Sequence, residues 1–280
     1  MSKTSSHPGV VVGVDGSPGS AVAVRWAARD AELRNAPLTL VHVAHGQREH
    51  GQRILNEARE IVAETCPCGS VRVYREMPTA HAVSALLDLS KDAALIVVGC
   101  LGAGTLRGRH LGSVSSGLTH YAHCPVAVIH DGVAFDADST APVLVGIDDS
   151  QGSQAAAAIA FDEAARRNVA LVALHAWRDV SAFDSAVSFA GQGWPALHAK
   201  EEESLEGRLA PWIERYPHVP VRRVIVRDEP ARPLIDQSHS AQLVVVGSHG
   251  SGGFAGMLLG SISAAVVLLA RVPVIVARQR

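Results

Sequence analysis

The stretch "VVGCLGAGTLRGRHLGS", residues 97–113, is answered by "VVGSHGSGGFAGMLLGS" at residues 245–261. Each opens in an apolar run and then spaces its glycines as Gly-x2-Gly-x9-Gly-Ser. The first copy supplies Gly99, Gly102, Gly112 and Ser113, and the second Gly247, Gly250, Gly260 and Ser261. A single segment of this kind is a tight turn and little more. Two with the same spacing point to a duplicated chain, and an internal repeat bears on the whole fold.

The duplication reaches well beyond these segments. "VVVGVDGSPGS" (10–20) matches "VLVGIDDSQGS" (143–153) at an offset of 133 residues. The same offset pairs Arg34-Asn35 with Arg167-Asn168 and His42 with His175. The glycine segments match at an offset of 148, as do "CPVAVI" (124–129) and "VPVIVA" (272–277). The second copy is therefore longer by a net 15 residues, which are best placed within 178–200. A period this long means whole domains rather than a solenoid. The expected boundaries are 1–132 and 142–280. The polar, irregular stretch around 133–141 is the linker.

Within each copy, short apolar runs alternate with helical patterns. Strands are expected at about 10–14, 38–43, 71–75, 94–98 and 126–129, with helices at about 18–35, 50–65, 79–91 and 113–122. The second copy repeats the order, with strands at 143–147, 170–175, 221–226, 242–246 and 273–277. Runs such as "ALIVVG" and "QLVVVG" are apolar throughout, as strands buried on both faces of a parallel sheet must be. Alternation of β and α elements implies right-handed crossovers and an α/β fold. Two tandem doubly wound domains with five parallel strands each are the simplest reading.

Composition narrows the function. A formal net charge of −2 leaves no electrostatic footprint for nucleic acid. No apolar run is long enough to span a membrane, and "MSKTSSHPG" is not a secretory leader. Cys66, Cys68, Cys100 and Cys124 fit no zinc spacing, so reduced thiols and a cytoplasmic location are expected. His120-x-x-His123-Cys124 is an isolated near-match and reads as ordinary helix-end residues.

Each glycine segment follows a buried strand and precedes a helix. Ligands of open α/β sheets bind at that place, beyond the carboxyl ends of the strands. Glycine lets the backbone approach a ligand closely, and a Gly-Ser pair opening a helix offers N–H groups, a hydroxyl and the positive dipole end. Those features suit a phosphate. At the end of each first strand stands an acid, Asp15 or Asp148, able to accept hydrogen bonds from a sugar. Ser17 and Ser150 are better placed to cap the following helix, which would leave the aspartates free. There is no GxxxxGK[ST], and Gly13-x-x-Gly16-x-x-Gly19 lacks the GxG core of a dinucleotide fingerprint and reads as a plain β–α turn.

The sequence "VDGS"/"IDDS", then "LVHV"/"ALHA", then the glycine segment, resembles the universal stress protein family. The likeness covers nearly the whole chain, twice, and is greatest to the tandem-domain members of actinobacteria such as mycobacteria. The resemblance implies strand order 3-2-1-4-5 in each domain. It also implies ATP at each of two sites, often with Mg²⁺. The glycines, the Ser113 and Ser261 positions, their neighbours Val114 and Ile262, and Ser115 or Ser263 would surround the triphosphate. Asp15 and Asp148, with Gly13 and Gly146 before them, would lie by the nucleoside, and backbone at Val43 and Ala176 would meet the adenine edge. Pairing of the two last strands would make the chain a pseudo-dimer. Further homodimerisation, a regulatory protein partner and a role in stress adaptation such as hypoxia or dormancy also come from the resemblance. No residue reads as a placed catalytic base, so a nucleotide-dependent regulator is expected. A slow ATPase and a scaffold with structural ATP are the alternatives.

The copies differ inside the glycine segment. The first carries Arg107, Arg109 and His110 where the second has Ala255, Met257 and Leu258. Guanidinium groups beside a triphosphate form charge-assisted hydrogen bonds; the alternative is that they only solvate the loop. Replacing Arg107 and Arg109 by alanine is expected to weaken ATP at the first site and to flatten its salt dependence. Unchanged first-site affinity in a titration at two salt concentrations contradicts the assignment.

Overall fold

The computed structural model describes residues 9–44, 48–102, 110–131, 139–177, 193–250 and 259–278. The first half runs β1 (Val10–Gly13), α1 (Pro18–Leu33), β2 (Leu38–Val41), α2 (Arg48–Thr65), β3 (Val73–Glu76), α3 (Ala82–Leu89), β4 (Leu95–Gly99), α4 (Ser113–Tyr121) and β5 (Val126–Ile129). The second half repeats it as β6 (Val143–Gly146), α5 (Gln151–Arg167), β7 (Leu171–Trp177), α6 (Gly193–Arg215), β8 (Val221–Arg227), α7 (Ala231–Ser238), β9 (Leu243–Gly247), α8 (Ser261–Leu269) and β10 (Val274–Ala277).

These strands form one ten-stranded sheet in the order β3-β2-β1-β4-β5-β10-β9-β6-β7-β8. Each half is a parallel five-stranded sheet of order 3-2-1-4-5. The chain leaves β1 in one direction toward β2 and later returns on the other side as β4. That reversal opens a crevice above the carboxyl ends of β1 and β4, and another above β6 and β9. The halves meet at β5 and β10, which pair antiparallel with Val128 opposite Val274 and Val126 opposite Val276. The two last strands, apolar edges that would otherwise be open, thus cover one another.

Both faces of the sheet are covered. Val10 and Val12 of β1 turn toward α1 and α2, and Val11 toward α3 and α4, as a period of two requires. The layer under α1, α2, α5 and α6 is continuous across both halves. Helix α3 starts at Ala82, three residues later than expected, with His81 at its N-cap. Most of the 178–200 segment lies outside the described residues, but from Gly193 onward it is the first part of α6 and not a loop.

Charges lock the two halves together. Asp30 on α1 and Arg34 at its C-cap correspond to Glu163 and Arg167 on α5 at the 133-residue offset. Arg34 Nε reaches Asp30 Oδ2 at 2.5 Å, and its Nη2 crosses to Glu163. Arg167 Nε donates to Glu163 Oε2 at 3.1 Å, while its Nη2 crosses to Asp30 Oδ1 at 3.2 Å. Each guanidinium bridges its own helix and the other, and both carboxylates are fully buried. Arg167 also lies 5.5 Å over the Trp26 ring. Burial and the nearby Glu163 charge push the Asp30 carboxyl up to about 6, with Arg34 and Arg167 opposing. Burial raises Glu163 as well, but Arg167, Arg34 and Arg166 outweigh it and hold that acid below its usual range.

A second exchange occurs at the helix ends. Arg278, just after β10, donates to the carbonyls of Thr119, His120 and Ala122 at 3.1, 2.7 and 3.1 Å, satisfying the open C-terminus of α4. His130, its counterpart after β5, places its ring nitrogens 2.8 and 3.2 Å from the carbonyls of Val267 and Val272 around the end of α8. Burial pushes the His130 imidazole down, so the neutral ring, with one N–H, serves one of these carbonyls at a time.

Removing one member of a buried ion cluster leaves its partners uncompensated. Asp30→Ala is expected to lower unfolding free energy by about 3–5 kcal/mol, read from the urea midpoint. A loss too small to shift the midpoint contradicts the assigned role of the cluster.

Candidate functional site

At the head of each crevice stands the acid that follows the first strand. Asp15 Oδ1 accepts from the Ser17 amide at 3.0 Å and the Ser17 hydroxyl at 2.6 Å. Asp148 Oδ1 does the same with Ser150, at 2.9 and 2.5 Å. The serines are the helix N-caps, each accepting from the amide three residues on, Ser20 or Ser153, at 3.1 Å. Capping therefore does not release the aspartates. One serine hydroxyl serves both tasks, receiving the cap bond and donating to the acid, and it fixes the carboxylate's direction.

That direction is toward the glycine segment. A Cβ on Gly102 would lie 2.9 Å from Asp15 Oδ2, and one on Gly250 would lie 2.8 Å from Asp148 Oδ2. The second oxygen of each acid thus faces the glycine loop across the crevice. The close passage depends on Gly99 and Gly247, where an added Cβ would meet the backbone carbonyl carbon of Gly19 at 3.1 Å and of Gly152 at 2.7 Å. Gly13 and Gly146 serve packing instead. Their missing side chains make room for Leu86 and Leu234, whose Cδ1 atoms are 3.3 and 3.2 Å from the Cβ positions.

Gly112 and Gly260 are the N-caps of α4 and α8, and neither supplies a side-chain cap. Their own amides bond back to Cys100 and Ser248 at 2.9 and 2.7 Å, closing the loop. The first intrahelical bonds run from Ser116 to Gly112 and from Ala264 to Gly260, each at 2.9 Å. The amides of Ser113, Val114 and Ser115, and of Ser261, Ile262 and Ser263, therefore precede the helical ladder at the positive end of the dipole. Ser113 and Ser261 are exposed there. Ser115 and Ser263 are buried, and their hydroxyls donate to the carbonyls of Gly99 at 2.6 Å and Gly247 at 2.5 Å. Those hydroxyls tie the helix start to the strand end, rather than pointing outward as the resemblance suggested.

Val43 and Ala176, at the ends of β2 and β7, are half-buried. Beside them, His42 Nδ1 meets the Val14 carbonyl and His175 Nδ1 the Ile147 carbonyl, both at 2.8 Å. These rings bind the second strand's end to the loop carrying the acid. They match at the repeat offset, which was the available signal for a shared structural task. In the second domain, Nε2 of the same ring also meets Glu201 Oε2 at 3.1 Å. Arg107 and Arg109 lie outside the described residues, and His110 is exposed.

The site thus offers a directed carboxylate, a glycine loop and helix-start amides. This set suits a polar ligand with an anionic group at one end and hydroxyls at the other. Among the described residues, no three His, Cys, Asp or Glu side chains cluster as metal ligands. Because its Cβ position lies closer to the Gly152 backbone, Gly247→Ala should cost more than Gly99→Ala. The expected order of magnitude for forced overpacking is about 1–3 kcal/mol, and equal midpoints for both variants in urea contradict the contact.

The family model described as "Universal stress protein family" matches residues 9–130 and again 140–278. A universal stress protein of Mycobacterium tuberculosis is 52% identical over 298 residues, covering 100% of this chain and 99% of that one. Another, from Mycobacterium bovis, is 48% identical over 298 residues, with complete coverage of both. The crystal structure of a universal stress protein from Archaeoglobus fulgidus superposes with a TM-score of 0.67 at 20% identity, over 97% of this chain and 98% of that one, which supports the fold. No helix among the described residues is long and apolar enough to cross a membrane. With the family pattern present twice and the strand order realised twice, the chain belongs to the universal stress protein family as a tandem of two such domains.

Proposed function

We propose that each crevice binds one ATP and that the protein is a nucleotide-dependent regulator in stress adaptation. One observation carries this reading. Asp15 and Gly102, far apart in sequence, are brought to the same close approach as Asp148 and Gly250. A duplicated geometry built from two separate segments is the mark of a binding place. In it, the triphosphate lies on the amides opening α4 or α8, and the carboxylate takes the ribose hydroxyls. Any Mg²⁺ is held chiefly by phosphate oxygens and water, as that ion commonly is. The carboxylate nearest the glycines already accepts two hydrogen bonds from its serine, so it acts as a binding group rather than a base for attacking water. Turnover is therefore slow, and signalling proceeds through a protein partner that reads the nucleotide state. A homodimer of this chain must use surfaces other than β5 and β10, which are spent on each other.

Mass analysis of small molecules released from the purified, denatured protein tests the reading. Adenine nucleotide at two per chain is expected, falling toward one in Gly102→Val or Gly250→Val, whose side chains displace the acid. Absence of nucleotide together with no ATP binding to the purified chain contradicts it.

A further inference from the structure

The two helices whose starts open onto the crevices are short. α4 and α8 have nine residues each, about 13–14 Å of helix and fewer than an isolated helix needs in water. The sequence of α4, "SVSSGLTHY", carries three serines, a threonine and a mid-helix glycine, all weaker helix formers than alanine. Gly117 is required by packing, because a Cβ there would lie 2.8 Å from Val83 Cγ1 on α3. The α8 sequence, "SISAAVVLL", is richer in alanine and leucine. Both helices depend on anchors at their ends, and α4 depends on them more.

At the far end of each helix an anchor comes from the other domain. The His123 amide, which would continue the α4 ladder to the Thr119 carbonyl, bonds instead to Ser90 Oγ at 3.0 Å. Arg278, at the end of the second domain, takes that place. Its Nη1, Nη2 and Nε donate to the carbonyls of Thr119, His120 and Ala122. In return His130, at the end of the first domain, sets its ring nitrogens against the carbonyls of Val267 and Val272 at the end of α8. The two residues occupy matching positions of the repeat, 148 residues apart, and cross the β5–β10 seam in opposite senses.

The consequence lies at the near ends. Helix-start amides converge on an anion only while the helix behind them is formed and in place. Donors at the C-terminus satisfy the last carbonyls, and a cation there also complements the dipole. We propose that each nucleotide site is completed by a residue of the opposite domain: Arg278 is the positioning residue for the first site, and His130 for the second. The inference rests on the crevice reading above and adds that neither site reaches full affinity without the other domain. The two anchors are unequal. Arg278 is a cation serving three carbonyls, whereas His130 serves one at a time, so the first site depends more on its anchor.

ATP titrations of the full chain, read from backbone amide shifts at both helix starts, test this in Arg278→Met and His130→Phe. Arg278→Met should weaken ATP about fivefold or more at Ser113–Ser115 and leave Ser261–Ser263 unchanged. His130→Phe should do the reverse by a smaller factor, and His130→Gln, which keeps an N–H donor, should restore the second site. Hydrogen exchange without nucleotide gives a second reading. The Ser116 amide, bonded to Gly112, should lose protection in Arg278→Met, and the Ala264 amide, bonded to Gly260, in His130→Phe. A merely structural role would weaken both sites or the domain that carries the substitution. Unchanged affinity, equal loss at both sites, or loss at the substituted domain's own site overturns the proposal while the crevice reading stands. No ATP response at either wild-type helix start overturns the crevice reading, and this one with it.

Discussion

The end of the fourth strand of each domain passes against the first turn of the first helix, and glycine on both sides allows it. Gly99 meets Gly19, and Gly247 meets Gly152, with backbone where side chains would otherwise be. A Cβ on Gly152 would in turn lie 2.5 Å from the His249 carbonyl oxygen. Backbone-to-backbone contact of this kind draws Gly102 and Gly250 up to the acids that follow β1 and β6. Without it Asp15 could not face Gly102, and the helix-start amides of α4 would open onto a different part of the molecule. The capping serine completes the arrangement, since one hydroxyl both starts the helix and aims the acid.

Joining two such units creates a second set of demands. The apolar last strands pair across the seam, which removes two edges from solvent. The α1–α5 contact is held by two buried carboxylates and two half-buried arginines, arranged so that each arginine spans both helices. Such a cluster adds less to net stability than its number of contacts suggests, because desolvation opposes the Coulomb attraction. Its value here is geometric. Only one relative placement of the helices satisfies both carboxylates, so the two crevices are held in fixed relation. Arg278 and His130 extend that relation to the far ends of α4 and α8, the helices whose starts form the crevices.

Much of this was legible from the repeat. Element positions and the parallel character of each sheet follow from apolar runs and from the alignment of the two copies, while the strand order and the joining of the last strands came from the resemblance to the family. Gly19 was underread: it looked like part of a plain turn, although Gly152 stands at its matching position. The direction of Ser115 was also hidden, because periodicity places a serine on a helix but cannot say whether its hydroxyl turns toward the loop or the strand carbonyl. The α1–α5 ion cluster was half visible, since Arg34 and Arg167 align, but Asp30 and Glu163 differ in type.

The central claim is that both helix starts receive the phosphates of one nucleotide each. Backbone amide chemical shifts on addition of ATP test it most directly. The account predicts that the amides of Gly112–Ser115 and of Gly260–Ser263 both move and saturate, while those in the α1–α5 contact stay in place. Saturable shifts confined to other parts of the chain, with both helix starts unmoved, would contradict it.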